Sequence, residues 1–296
     1  MNTFFSRLLP AQRGMCMVLG MVVLFTLMDV LSKYLSRFYP INLILWARFS
    51  FHSLLFIVFL GPRIGFSLVR TRRLRWQLLR GFTLAGASYC FTAGLKYLPL
   101  AEATSIAYLN PIFIALLAVL FLGEDMPFGS WVASFVAFAG VLIVVRPGGG
   151  LFTWAALLPF INAILFACYQ VMTRRLANIE NQYCLIFYPG LVGSVIYTLL
   201  VLPEWVTPGA LHFCMLVLIG LISGTSHLVM IRALKLATAS YLAPFGYTQL
   251  IWVLLAGYLF FDDFPDAWSL AGIALLIGSS LYCARRPRQP GAAEEE

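Results

Sequence analysis

Charge is what this sequence has least of. Only 11% of its 296 residues are charged, where soluble domains carry about 25%. A soluble fold of this length could not cover its surface with so few polar side chains, and that class is excluded. Acidic residues are the scarcer sign, 12 Asp and Glu against 20 Lys and Arg. Cysteines are few and carry no metal-type spacing: Cys16, Cys90, Cys168, Cys184, Cys214 and Cys283 read as buried free thiols. The chain has no paired His–Asp metal motif, no nucleophile elbow and no phosphate-binding loop. An integral membrane enzyme is therefore disfavoured, and neither metal nor cofactor is expected. No convincing cleavage site follows the first apolar run, which reads as retained. Short connections leave little soluble surface for a receptor or scaffold.

What the sequence does have is apolar length. Hydrophobic residues make up 61% of it, in runs near the roughly 20 residues that a helix needs to cross about 30 Å of hydrocarbon. Ten spans are expected, at 14–36, 42–60, 77–97, 101–122, 128–146, 152–174, 183–202, 210–234, 239–261 and 267–284. Lipid offers no water to an open backbone, so all of them must be helical. The expected class is an all-α membrane protein.

The net charge of +8 suggests nucleic acid until the basic residues are placed. They gather on alternate connections: Arg7 and Arg13 before the first span, Arg63, Arg70, Arg72, Arg73, Arg75 and Arg80 around the second connection, Arg174 and Arg175, Arg232 and Lys235, then Arg285, Arg286 and Arg288. This is the positive-inside pattern. It predicts cytoplasmic termini and no nucleic-acid partner. Trp76 and Trp131 fall at the inner interface, Trp154, Trp205 and Trp268 at the outer one, as an aromatic belt requires. The tail 288–296 is expected to be disordered.

The chain also repeats itself. Phe25 to Leu35 (FTLMDVLSKYL) matches Phe166 to Leu176 (FACYQVMTRRL), with Asp29 replaced by Gln170. Gly94-Leu95-Lys96 corresponds to Ala233-Leu234-Lys235, and LFLGEDMP ending at Pro127 to LFFDDFP ending at Pro265. Two units of five spans follow, 1–148 and 149–287. Because five is odd, the second unit enters the membrane the other way up. Inverted repeats of this kind build secondary transporters, with the substrate near the midplane between the halves. Together with GLKYLPLAEATSIAYLNPIF at 94–113, LFLGE and VLIVVRP, this arrangement resembles the EamA-type members of the drug/metabolite transporter superfamily over about 14–287. The resemblance implies a metabolite carrier, commonly an exporter, of the bacterial inner membrane. It chooses no substrate among amino acids, nucleosides, cofactors and toxic compounds. One departure is that Asn110-Pro111 of the first half becomes Thr248-Gln249 in the second.

Candidate transport residues are polar groups at membrane depth, where a charge must face a partner or a wet cavity. Asp29 and Arg48 both lie about 10 Å from the outer end of their spans and could pair across the first hairpin. Thr26, Asp29, Lys33 and Ser36 fall on one helical face, which should point inward. Gln170 stands at the corresponding place in the sixth span. Tyr108 and Asn110-Pro111 mark a bend in the fourth span, because proline frees a backbone carbonyl there. Tyr89 lies on a polar face of the third span beside Thr92 and Lys96. Thr248 and Trp252, with Tyr241 and Phe245, form a stripe in the ninth that either lines a cavity or packs. His227 in the eighth is a core histidine or a proton relay. The set suits a small zwitterion such as an amino acid, and equally an organic anion or a nucleoside-like metabolite. Oligomeric state is left open.

Overall fold

A computed structural model of the chain describes residues 9–122, 128–145, 154–177, 179–236, 245, 246 and 248–285. All regular structure among the described residues is helical. In chain order the helices are α1 (Pro10–Leu35), α2 (Ile41–Ile64), α3 (Leu74–Tyr97), α4 (Leu100–Ala107), α5 (Asn110–Leu122), α6 (Phe128–Val145), α7 (Leu157–Ala177), α8 (Gln182–Val201), α9 (Ala210–Leu236), α10 (Gln249–Phe261) and α11 (Ala267–Arg285). The tail 288–296, the 123–127 turn and Tyr241 lie outside the described residues.

Among the described residues, six helical stretches are long and apolar enough to cross a membrane: Pro10–Leu35, Ile41–Ile64, Leu100–Phe121, Trp154–Leu176, Gln182–Glu204 and Ala210–Met230. They fall at the expected first, second, fourth, sixth, seventh and eighth spans. The ninth and tenth spans contain shorter apolar helices, Gln249–Phe261 and Ala267–Ser279, and the fifth contains Phe135–Val144. α3 is different, since its 24 residues suffice in length but not in apolarity. It packs between α7 and α8, so Gln77, Arg80, Ser88 and Thr92 are buried against protein. A helix shielded in this way needs less apolar surface than one facing lipid.

The fourth span is broken where proline was expected to bend it. α4 ends at Ala107 and α5 starts at Asn110, with Tyr108 and Leu109 in a turn between them. Pro111 has no N–H to give the carbonyl of Ala107, and its ring disfavours a continuous helix. In the other half, Thr248 occupies the turn position before α10. The two breaks meet, because the Tyr108 hydroxyl reaches the Gly246 carbonyl at 2.9 Å.

Helix contacts have a reciprocal pattern. α1 packs on α9 and α7 on α3; α2 packs on α9 and α8 on α3; α1 packs on α10 and α7 on α5. α2 meets α8, α4 meets α10 and α6 meets α11. Exchanging each span for the one five places on turns every pair into itself or into another of these pairs. Glycines mark the closest crossings. A Cβ at Gly81 of α3 would lie 2.5 Å from Val192 Cβ of α8, and one at Gly220 of α9 would meet Phe51 and the Ala47 carbonyl of α2. At the α6–α11 crossing, a Cβ at Gly272 would lie 2.5 Å from the Gly140 carbonyl oxygen. Small residues let the backbones approach where dispersion, not water, drives association.

One end of the bundle is tied by Glu180, which accepts from the Thr71 hydroxyl and from the Arg72 and Arg73 backbone N–H groups at 2.8–2.9 Å. At the other end His212 packs among Tyr34, Phe38 and Tyr39, with the Tyr39 hydroxyl 2.8 Å from its Nδ1. The expectation of buried thiols holds for Cys184, whereas Cys16, Cys90 and Cys168 are half-buried and Cys214 is exposed on α9.

Candidate functional site

The polar stripe of α1 faces inward. Thr26, Asp29, Lys33 and Ser36 are all buried. Thr26 and Ser36 turn their hydroxyls onto backbone carbonyls of the same helix. Among the described residues Asp29 and Lys33 have partners distant in the sequence, and these define the site.

Asp29 Oδ2 accepts from Gln249 Nε2 at 3.3 Å, and Gln249 Oε1 lies 3.0 Å from the Tyr108 hydroxyl. A carboxylate of α1, an amide at the start of α10 and a phenol at the α4–α5 break therefore form one chain. Broken helices supply polar backbone and side chains at depth only where these line a cavity or are held by protein. Thr248 lies beside Gln249 and closes its hydroxyl onto the Phe245 carbonyl at 2.6 Å. Asn110 is half-buried at the start of α5.

Arg48 is not the ion-pair partner that its depth suggested. Lys33–Asp263 is the ion pair found among the described residues, and Arg48 makes no such contact with Asp29. Arg48 acts on Asp29 only through space, its guanidinium stands over the Phe49 ring, and its buried Nε has no partner. Equal depth on neighbouring spans brought the charges close without turning them onto one another. Below Arg48 on α2, His52 stands edge-on to His227 of α9, ring centroids 5.6 Å apart. His52 Nδ1 is 3.4 Å from the Ser223 hydroxyl, and its Nε2 is buried without a partner. His227 also meets Phe25 edge to face. His227 thus sits in packed surroundings, next to a second histidine.

Lys33 closes one end of this region. Its ammonium donates to Asp263 Oδ2 at 2.7 Å and to the Leu98 carbonyl at 3.2 Å, and it stands 4.8 Å above the Phe261 ring. Arg37 approaches the same ring. A cleft of about 460 Å³ opens beside this contact, lined by Arg37, Tyr39, Asn42, Tyr89, Lys96 and Glu204. Tyr89 is thus at the mouth, not at the Asp29 cluster. Trp252 lies elsewhere again. It is exposed together with Ile251, Leu255 and Leu259 on one side of α10, while Leu250, Val253 and Ala256 are buried on the other.

The sequence reading missed Arg80 by counting it with the loop cations. It is fully buried, with Nη1 on Gln77 Oε1 at 2.8 Å, Nη2 on the Leu185 carbonyl and the guanidinium over Tyr169. Gln170, next to Tyr169, is half-buried on α7. The available signal was position: Arg80 lies six residues inside a helix that begins at Leu74.

The EamA-like transporter model matches residues 12–146 and again 153–284. The chain belongs to the EamA-like transporter family. It is a multi-pass membrane transporter with two family domains in tandem, which accounts for the repeat. Among curated relatives, the S-adenosylmethionine uptake transporter of Rickettsia prowazekii (strain Madrid E) is 25% identical over 283 residues, 96% of each chain. The riboflavin transporter of Rhizobium johnstonii is 29% identical over 277 residues, 90% of this chain and 91% of the relative. The pseudopaline exporter of Pseudomonas aeruginosa strain UCBPP-PA14 is 28% identical over 265 residues, 88% and 92%. A solved crystal structure shares the fold with a TM-score of 0.69 at 19% identity, covering 94% of this chain and 99% of that one. Membership carries metabolite transport as the activity. The relatives differ in solute and direction.

Proposed function

We propose that this EamA-like transporter is a ten-span secondary transporter of the bacterial inner membrane, built from inverted units 1–148 and 149–287 with both termini cytoplasmic. It moves a small amino-acid-type metabolite by alternating access. The observation that carries this reading is the Asp29–Gln249–Tyr108 chain at the meeting point of two broken spans. Asp29 is an acceptor for the ammonium of a zwitterion, and Arg48, with its unpartnered Nε, faces the same region as a donor for the carboxylate. Lys33–Asp263 seals the end of the path nearer the 36–40 turn, which the positive-inside pattern makes periplasmic. The reciprocal helix contacts support two halves that exchange roles.

Similarity to an S-adenosylmethionine transporter favours an amino-acid-type solute, since S-adenosylmethionine bears a free α-amino acid. Similarity to a riboflavin transporter and a pseudopaline exporter keeps a nucleoside-like solute and an organic anion as alternatives. Export is the direction proposed from the commoner habit of the family. Proteoliposomes containing the purified chain, screened with radiolabelled amino acids, S-adenosylmethionine and riboflavin, test the reading. Movement of an amino-acid-type solute that Asp29→Asn abolishes in a folded protein supports it. Movement of lipid and of no small solute would sink it.

A further inference from the structure

Arg80 has no surface to reach. Its side chain is fully buried in α3, so it cannot extend its charge to an interface as long cations near helix ends do. Among the described residues no carboxylate lies within ion-pair distance of it. Two of its five N–H donors are used, by Gln77 Oε1 and the Leu185 carbonyl. Its Nε and the neighbouring Gln77 Nε2 are both buried with no partner. A guanidinium enclosed in this way, with donors left over and no anion, is costly unless an anion arrives.

Its position relates it to Arg48. Arg48 lies about 10 Å from the start of α2, and Arg80 about 9 Å from the start of the antiparallel α3, near the 65–73 connection. The two guanidiniums therefore stand on the order of 15 Å apart along the bundle, and both act electrostatically on His227. We propose that Arg80 is a second anion-binding residue of the transport path, taking the carboxylate of the substrate in the half of the bundle opposite Asp29 and Arg48. A planar fork with spare donors suits a carboxylate, which would be handed from Arg48 to Arg80 as the halves exchange access. This rests on the transport reading above.

A purely structural role for Arg80 is also visible, and it can be removed. Pro189 lies inside α8 and leaves the Leu185 carbonyl without its helical N–H, and Arg80 fills that vacancy. Pro189→Ala restores the backbone donor, so the variant Arg80→Gln/Pro189→Ala should fold where Arg80→Gln alone need not. Transport by full-length protein in proteoliposomes would compare methionine and S-adenosylmethionine with their carboxamides, and include riboflavin. The wild type should prefer the acids by about tenfold or more in KM. Arg80→Gln/Pro189→Ala should melt close to the wild type and lose most of the preference, keeping only what Arg48 supplies, while Pro189→Ala keeps all of it. A double variant that retains the full preference overturns the inference, as does a wild type that treats acid and amide alike. Transport of riboflavin but of neither acid would overturn it while leaving transport standing. Transport of no solute at all would remove the transport reading itself.

Discussion

Two charged residues one turn apart on α1 are satisfied in opposite ways, and the difference is testable. Lys33 has a carboxylate, a carbonyl and a ring around its ammonium, so removing the carboxylate leaves a buried cation short of a partner. Asp263→Asn should lower stability by about 1–3 kcal/mol, read as a lower melting temperature in detergent. Lys33→Met/Asp263→Asn should recover most of that loss, because neither charge is then stranded. A double variant as unstable as the sum of the single ones would show the two residues to be independent. Among the described residues Asp29 has one long amide contact, at 3.3 Å, and Asp29→Asn preserves an acceptor for Gln249. That variant should keep its melting temperature and lose transport, and a wild-type rate would rule the role out. Arg48→Gln should not restore it, since the two residues form no ion pair. The inward stripe was legible because spacings of three and four fix a helix face. The partners were not, because Asp263 is 230 residues from Lys33 and depth alone offered Arg48 to Asp29 just as well.

At the scale of elements, the sequence was most informative where backbone chemistry is local. Pro111 announced the break between α4 and α5. Gly81 and Gly220 permit close crossings, but a glycine does not say what it crosses. The α6–α11 crossing was not anticipated, because Gly140 and Gly272 carry no local signal that distinguishes them from other glycines in apolar runs. There each glycine faces the carbonyl oxygen of the other helix. Gly272→Val should force the helices apart and cost about 1–3 kcal/mol or more. Gly278→Ala, six residues further along α11 with nothing within 4 Å of the added carbon, should melt like the wild type. Equal effects at the two positions would mean that helix propensity and not the crossing decides. α3 escaped in another way. Its Arg80 obeys the positive-inside count equally well as a loop residue or a buried one, and only its enclosure by α7 and α8 distinguishes them.

For the whole molecule, the reciprocal contacts mean that any rearrangement opening one end must be answered by the corresponding pairs at the other. Of cysteines introduced at Arg72 and Trp205, the one at 205 should label with an impermeant thiol reagent in intact cells and the one at 72 only after the membrane is opened, and labelling of both from one face would break the ten-span arrangement. Alternating access adds a stronger demand. Lys33 of α1 and Asp263 beyond α10 form an ion pair, and these residues belong to different family domains. If the halves must separate there in each cycle, tethering them should stop transport without unfolding anything. A chain whose native cysteines are replaced, carrying Lys33→Cys and Asp263→Cys, would be bridged with a short bifunctional thiosulfonate. Uptake should fall to background on bridging and return with a reductant, while each single-cysteine control is unaffected by the reagent. Losing the native ion pair lowers stability in bridged and unbridged samples alike, so the reversible difference reports the motion alone. Undiminished transport by the bridged protein would mean that this end never opens, and the solute would then need another path through the bundle.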